Sequence, residues 1–317
     1  MNKTAVIIVL VVCIVFIGGV AAISLATEGF GGWFAFGGTR VDIDESAGLS
    51  LEGVSEVSVW APIGKVIVEE GEPGVTLKGY LTVSKKSDQY LFVEKDGGKL
   101  SVRFEPGNLP SVSNNRMTLT VRLPGDIAAG LTVRNSSGRV DVKGIRVRDM
   151  NVSNSSGSID VTGCSGGELR VSLSSGNTTV NGADFGSIRV DSQSGNIQLE
   201  NIVGALSVRH SSGNIDVLNA QGPVEVWHSS GNVSIDAAGK KVSGIDVTLS
   251  SGNANLRLDK DASFTLDART SSGNIIADFD ILISGGLSRG SLKGDCNGGG
   301  ETVKVSVSSG NVNIFKK

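Results

Sequence analysis

A Ser-Gly motif recurs as nine evenly placed copies in the second half of this chain. Its glycines are Gly138, Gly157, Gly176, Gly195, Gly213, Gly231, Gly252, Gly273 and Gly310, separated by 19, 19, 19, 18, 18, 21, 21 and 37 residues. Self-similarity at a period near 20 marks a solenoid, in which each repeat stacks on its neighbours. No other feature of the chain restricts its fold as strongly.

The residues around each glycine define the repeat. Two and four positions after it stand aliphatic pairs such as Ile159/Val161, Ile197/Leu199 and Ile215/Val217. Seven and five positions before it stand Leu169/Val171, Ile188/Val190 and Leu206/Val208. The residues between are polar, so the period is two and each run is a strand with one buried face. Each repeat then reads as strand, Ser-Ser-Gly-Asn turn, strand, second turn. A coil of this length buries its few aliphatic side chains only by stacking, with parallel, in-register pairing and a rise of about 4.8 Å per coil. Nine coils make a rod of roughly 40 Å. The glycine suits a backbone conformation that a Cβ disfavours. Seven of the nine glycines precede Asn: Asn177, Asn196, Asn214, Asn232, Asn253, Asn274 and Asn311. Stacked at one corner, these can hydrogen-bond along the axis, so the Ser-Gly-Asn column reads as structural. The expected fold is all-β: a single-stranded parallel β-helix, or β-solenoid, of about nine or more coils. The crossover rule makes it right-handed.

The domain plan follows from the breaks in the repeat. Residues 4–26 are almost wholly apolar, with no charge between Lys3 and Glu28. That length crosses a bilayer as one helix, which makes residues 1–27 a transmembrane signal-anchor. A cleavable signal peptide ending near Ser24-Leu-Ala26 is the rival. Lys3 places the N-terminus inside and residues 28–317 outside the cell membrane. Residues 28–40, with Phe30, Trp33, Phe34 and Phe36 among glycines, form a linker suited to the membrane surface. Residues 41–130 keep alternating strands without the Ser-Gly motif and read as irregular coils capping the N-terminal end. Residues 131–317 form the regular solenoid. The final 37-residue gap, close to two periods, reads as a cryptic coil or a hairpin insertion at 281–302, since the open end of a stack needs a cap.

Composition removes several function classes. The net charge is −3 and no basic cluster tracks phosphates, which argues against nucleic acid as a partner. Of three cysteines, Cys13 lies in the apolar segment, while Cys164 and Cys296 fall on distant coils, too far apart for a disulfide. No column points to a cofactor. The calcium-binding nonapeptide does not repeat. The Ser-Ser-Gly motif lacks a histidine or aspartate at a fixed offset in every copy, which excludes a serine nucleophile.

Four groups of residues remain as candidates. His210 and His228 share one slot, three residues before Gly213 and Gly231. Neighbouring coils stack them about 5 Å apart, a spacing that could hold a metal or a pH-sensitive pair. No cysteine or carboxylate completes a ligand set, so a stacked polar ladder is the preferred reading. Trp227, beside them, takes an outward slot and could contact a sugar or a protein. Asp141, Asp160 and Asp216 form an outward acidic trio, too thin for the carboxylate clusters of polysaccharide-cleaving β-helices. Asn135, Asn151, Asn154, Asn177 and Asn232 each begin a glycosylation sequon.

Val171-Ser-Leu-Ser-Ser-Gly-Asn177 and the run from Leu206 to Val217 resemble the "putative adhesin" family of prokaryotic β-solenoid domains. Leu119-Thr-Val-Arg-Leu-Pro124 and the closing Ser-Ser-Gly-Asn-Val-Asn-Ile314 fit as well, so the resemblance covers roughly residues 50–317. It implies a cell-envelope or surface role and supplies no catalytic residues. The resulting expectation is a membrane-anchored extracytoplasmic module, not an enzyme, that binds a surface protein or glycan. The alternatives are a scaffold that self-associates end to end and, third, a carbohydrate-active enzyme.

Overall fold

The structure, a computed structural model, describes residues 38–109, 115–240, 242–284 and 290–317. These contain twenty-two strands and no helix, all hydrogen-bonded into one continuous sheet. Among the described residues no helix is long and apolar enough to cross a membrane. The expected membrane segment, residues 1–27, and the aromatic part of the expected linker lie outside the described residues. A strand begins at Thr39, within the last two residues of that linker.

The repeat folds as its period requires. Val133, Val152 and Val171 face one another in register on successive coils, as do Val142, Val161 and Val180. All six are fully buried. Burying a Val or Leu side chain contributes roughly 1.5–3 kcal/mol, against about 1–2 kcal/mol per residue for ordering backbone. A lone coil therefore cannot hold its shape, and stacking supplies a second apolar neighbour. The expected second turn is a short third side. It buries Ile145, Cys164, Ala183, Ile202 and Ala220, with Ala183, Ile202 and Ala220 again in register. Both Cys164 and Cys296 are buried free thiols.

The coils do not stack in chain order at either end. At the C-terminal end, Ile245–Ser251 pairs with Thr302–Ser309, and Ala254–Leu258 pairs with Val312–Lys316. The Gly310 coil therefore sits on the Gly252 coil, and the Gly273 coil stacks outside it. At the N-terminal end, Glu56–Ile63 and Lys65–Glu70 form a coil lying between Gly130–Lys143 on one side and Lys99–Phe104 and Arg116–Leu123 on the other. That inserted coil carries Gly64, whose carbonyl oxygen lies beneath Gly138. The glycine column thus starts one coil earlier than the Ser-Gly spelling shows, because Ile63-Gly64 lacks the serine.

Antiparallel strands close both ends, which blunts the exposed edges of the stack. Gly74–Val83 covers Arg116–Leu123, Thr39–Gly48 covers Gly74–Val83, and Leu91–Asp96 covers Lys99–Phe104. At the other end Ser291–Cys296 covers Phe264–Ser272, and Ile281–Ile283 pairs outside it. These two closing strands, Ile281–Ile283 and Ser291–Cys296, fall within the segment expected as an insertion.

Candidate functional site

The corner glycines approach one another closely. Gly176 has φ +126°, and a Cβ there would lie 1.6 Å from the carbonyl oxygen of Gly157. The asparagines that follow bind the coils in series. The side-chain oxygen of each accepts the backbone N–H of the next: Asn177 from Asn196, Asn196 from Asn214, and Asn214 from Asn232, at 3.0–3.1 Å. The series continues from Asn232 through Asn253 and Asn311 to Asn274, following the spatial order of the coils. These groups are consumed in holding the stack.

In five of the nine coils the slot three residues before the glycine has a related task. Asn135, Asn154 and Thr270 donate to the carbonyl oxygens of Gly64, Gly138 and Gly310 at 3.0, 2.8 and 2.9 Å. His210 and His228 occupy the same place and set Nε2 3.0 and 2.9 Å from the carbonyls of Gly195 and Gly213. Their Nδ1 atoms lie 3.1 Å from the carbonyls of Ser192 and His210. The rings stack at 5.0 Å with 6° between planes, and both residues are buried. All four ring nitrogens therefore face backbone carbonyls rather than an open coordination position. Among the described residues there is no cluster of three or more metal-ligating groups. Burial pushes the His228 pKa down, aided by the neighbouring His210 and opposed by the two carbonyls.

Asp141 is not outward. Its side chain is 1 % exposed and held between Lys65 Nζ at 2.8 Å and Arg139 Nε at 2.6 Å. Strand alternation places it outside, but the inserted Gly64 coil brings Lys65 across it. Burial raises its pKa, and the two cations more than reverse this, so the net shift is downward. Asp160, its in-register neighbour, is reached by the same Arg139 at 3.2 Å and is raised mainly by burial. Asp216 is exposed and pairs in register with Gln198 and Ser234, away from the other two. The trio is one buried ion-paired group and a separate residue. Two sequon asparagines, Asn135 and Asn154, are buried as donors to glycine carbonyls, which leaves them unsuited to carry a glycan in the folded chain.

One surface feature spans many coils. A trough of about 670 Å³, lined mostly by residues of polar type, runs along the axis from Asn135 to Ser250. One wall is the column four residues before each glycine: Ser153, Ser172, Asp191, Arg209, Trp227 and Thr248. The other is the column two residues before it, made of serines with Gln193 interposed. The asparagine, leucine, serine and histidine slots lie between. Trp227, half-buried, receives the Arg209 guanidinium at 4.7 Å from its ring centre. Arg209 is exposed and, among the described residues, forms no ion pair, whereas Asp191 is taken by Arg189 at 2.6 Å. The sequence singles out Trp227 but not its partner. Aligning the coils shows the signal, since Arg209 and Trp227 share a column and are in register.

The chain resembles several solved structures. It is 16 % identical to a Parabacteroides distasonis protein titled "Putative lipid binding protein", covering 86 % of this chain and 97 % of that one at a TM-score of 0.42. It is 12 % identical to a "putative adhesin" of the same species, over 88 % and 98 % of the two chains, with a TM-score of 0.38. It is 13 % identical to a "putative cell adhesion protein" of Clostridium sporogenes, over 87 % and 100 %, with a TM-score of 0.27. No curated protein matches the chain. Residues 66–248 and 221–315 match the family described as Toastrack DUF4097. The first match spans the Gly138 to Gly231 coils, which carry most of the trough, and the chain belongs to the Toastrack DUF4097 family.

Proposed function

We propose that this protein is a non-catalytic binding module, anchored in the cell membrane by residues 1–27 with the solenoid outside, that attaches to an envelope or surface ligand through its axial trough. The observation that carries this is the trough itself, where the outward columns cease to be uniform and gather Asp191, Arg209 and Trp227 on successive coils. Repeat surfaces of this kind present side-chain arrays along an extended face rather than an enclosed pocket. A catalytic reading has weak support. Asp141, the strongest acid candidate, is buried and neutralised by two cations.

End-to-end assembly is the second reading, and the two ends differ chemically. The outer N-terminal strand carries Arg40, Asp42, Asp44 and Glu45. The C-terminal end exposes Leu282 and Ile276 at 76 % and 52 %. A charged edge is poorly matched to an apolar one, which favours the trough as the functional surface.

The test is binding of the purified full chain to intact cells and to envelope fractions, with released sugars assayed in parallel. Binding without turnover, weakened by Trp227→Ala, is expected. Sugar release, or binding untouched by Trp227→Ala, would overturn the reading. Alkaline extraction tests the anchor, with the chain expected to stay in the membrane pellet.

A further inference from the structure

We infer that the ligand of the trough is a linear acidic polysaccharide, a chain of sugars bearing carboxylates, lying parallel to the solenoid axis. This deepens the binding-module reading and rests on it.

Length and polarity come first. The trough extends over the coils of Gly138 to Gly252, six steps of about 4.8 Å or roughly 29 Å in all. Wall hydroxyls recur on most of these coils, from Ser153 and Ser172 on one wall to Ser211 and Ser229 on the other, with Asp191 and Gln193 in their place on the Gly195 coil. The strand edges beneath are already paired coil to coil. A peptide therefore cannot add as a further strand, which needs a free edge. Recognition has to come from side chains, in a periodic array of hydroxyls and amides. Such an array suits a ligand with hydroxyls at a similar spacing, and suits a lipid tail poorly.

Individual groups then select the chemistry. Trp227 presents an aromatic surface to the trough, with the Arg209 guanidinium over one face of its ring at 4.7 Å from the centre, so the C–H groups of a sugar can pack against the part of the indole that Arg209 leaves free. Arg209 is a fixed, exposed cation with no carboxylate of its own among the described residues. A guanidinium binds a carboxylate through paired, charge-assisted hydrogen bonds. The neighbouring Asp191 does not cancel it, because Arg189 holds that carboxylate.

The experiment measures retention of the purified full chain on immobilised alginate, a linear uronic-acid polymer, and on neutral dextran, alongside binding to intact cells. The expected result is retention on alginate only, falling as salt rises. Arg209→Gln should weaken it about tenfold, one unit of log affinity, and Trp227→Ala at least as much. Trp227→Phe should retain most of it, and circular dichroism should report the same strand content in each variant. Equal retention on both polymers, or alginate retention unaffected by Arg209→Gln, would overturn the inference. Cell binding that survives both Arg209→Gln and excess alginate would also overturn it, while leaving the binding-module reading standing. That broader reading fails separately, if the chain binds no cells or envelope fraction.

Discussion

Replacing Gly176 by Ala tests the packing of the coils at its tightest point. The new Cβ would meet the Gly157 carbonyl oxygen at 1.6 Å and its carbon at 2.7 Å. Ordinary contact begins near 3.4 Å, so the corner must open by between about one and two ångströms. An opening of that size breaks about two coil-to-coil hydrogen bonds at about 1 kcal/mol each. Holding an L-residue at positive φ adds roughly 1–2 kcal/mol, and loosened packing adds more. The expected loss is about 3–5 kcal/mol. Gly163 is the internal control. Its φ is +62°, yet a Cβ there meets nothing within 4 Å, so Gly163→Ala should cost only the roughly 1–2 kcal/mol of backbone strain. Urea unfolding followed by circular dichroism gives both values from the midpoint and slope. Equal costs for the two variants would refute the argument, since close approach, rather than backbone angle alone, would then have no energetic role at the Ser-Gly corner.

Other outcomes follow from the same geometry. The lowered His228 pKa means the unfolded chain takes up protons before the folded one, so stability should fall as pH drops through about 6.5, the ordinary histidine value. His228→Asn, which restores the amide donor seen at Asn154, should flatten that dependence in pH-resolved thermal melts. Asp141→Ala should cost about 2 kcal/mol at neutral pH, because two charge-assisted contacts are lost from a buried site while Lys65 and Arg139 regain water. Since the folded Asp141 pKa lies below its ordinary 3.8, that difference should shrink as pH falls through this value. Cysteines at Ser251 and Ser309, which are in register on adjacent coils, should oxidise to a disulfide, whereas cysteines at Ser251 and Ser272 should not. Crosslinking of the second pair would contradict the interleaved C-terminal end.

The regular coils are legible in the sequence because each constraint is local. Alternation fixes which face of Leu206-Ser-Val-Arg is buried, and a slip of one residue would expose Leu206 and Val208. The order of the coils is not local. The Gly252 coil presents Ala254 and Leu256 to its neighbour, and Val312/Ile314 fit against them as well as Ile275/Ala277 would. Periodicity therefore marks the coils without ordering the last two. Asp141 was misplaced for the same reason, since its burial depends on Lys65, some seventy residues earlier in a coil that the Ser-Gly spelling conceals. The histidine slot has the parity of the buried columns, but its task, donating to a glycine carbonyl one coil away, becomes visible only when the coils are stacked. The trough was half legible: Trp227 stood out as an aromatic in a polar column, while Arg209 gained meaning only from its register with it.

Side-chain footprinting by hydroxyl radicals tests the central claim most directly, because it reads the contact surface without assuming the ligand. Trp60 and Trp227 are both half-buried and share one outward column, and Trp60 lies one coil beyond the Asn135 end of the trough. With the full chain bound to intact cells, oxidation of Trp227 should drop several-fold relative to the free chain while that of Trp60 stays the same. Undiminished oxidation of Trp227 in cell-bound protein would contradict the assignment of the trough as the binding face.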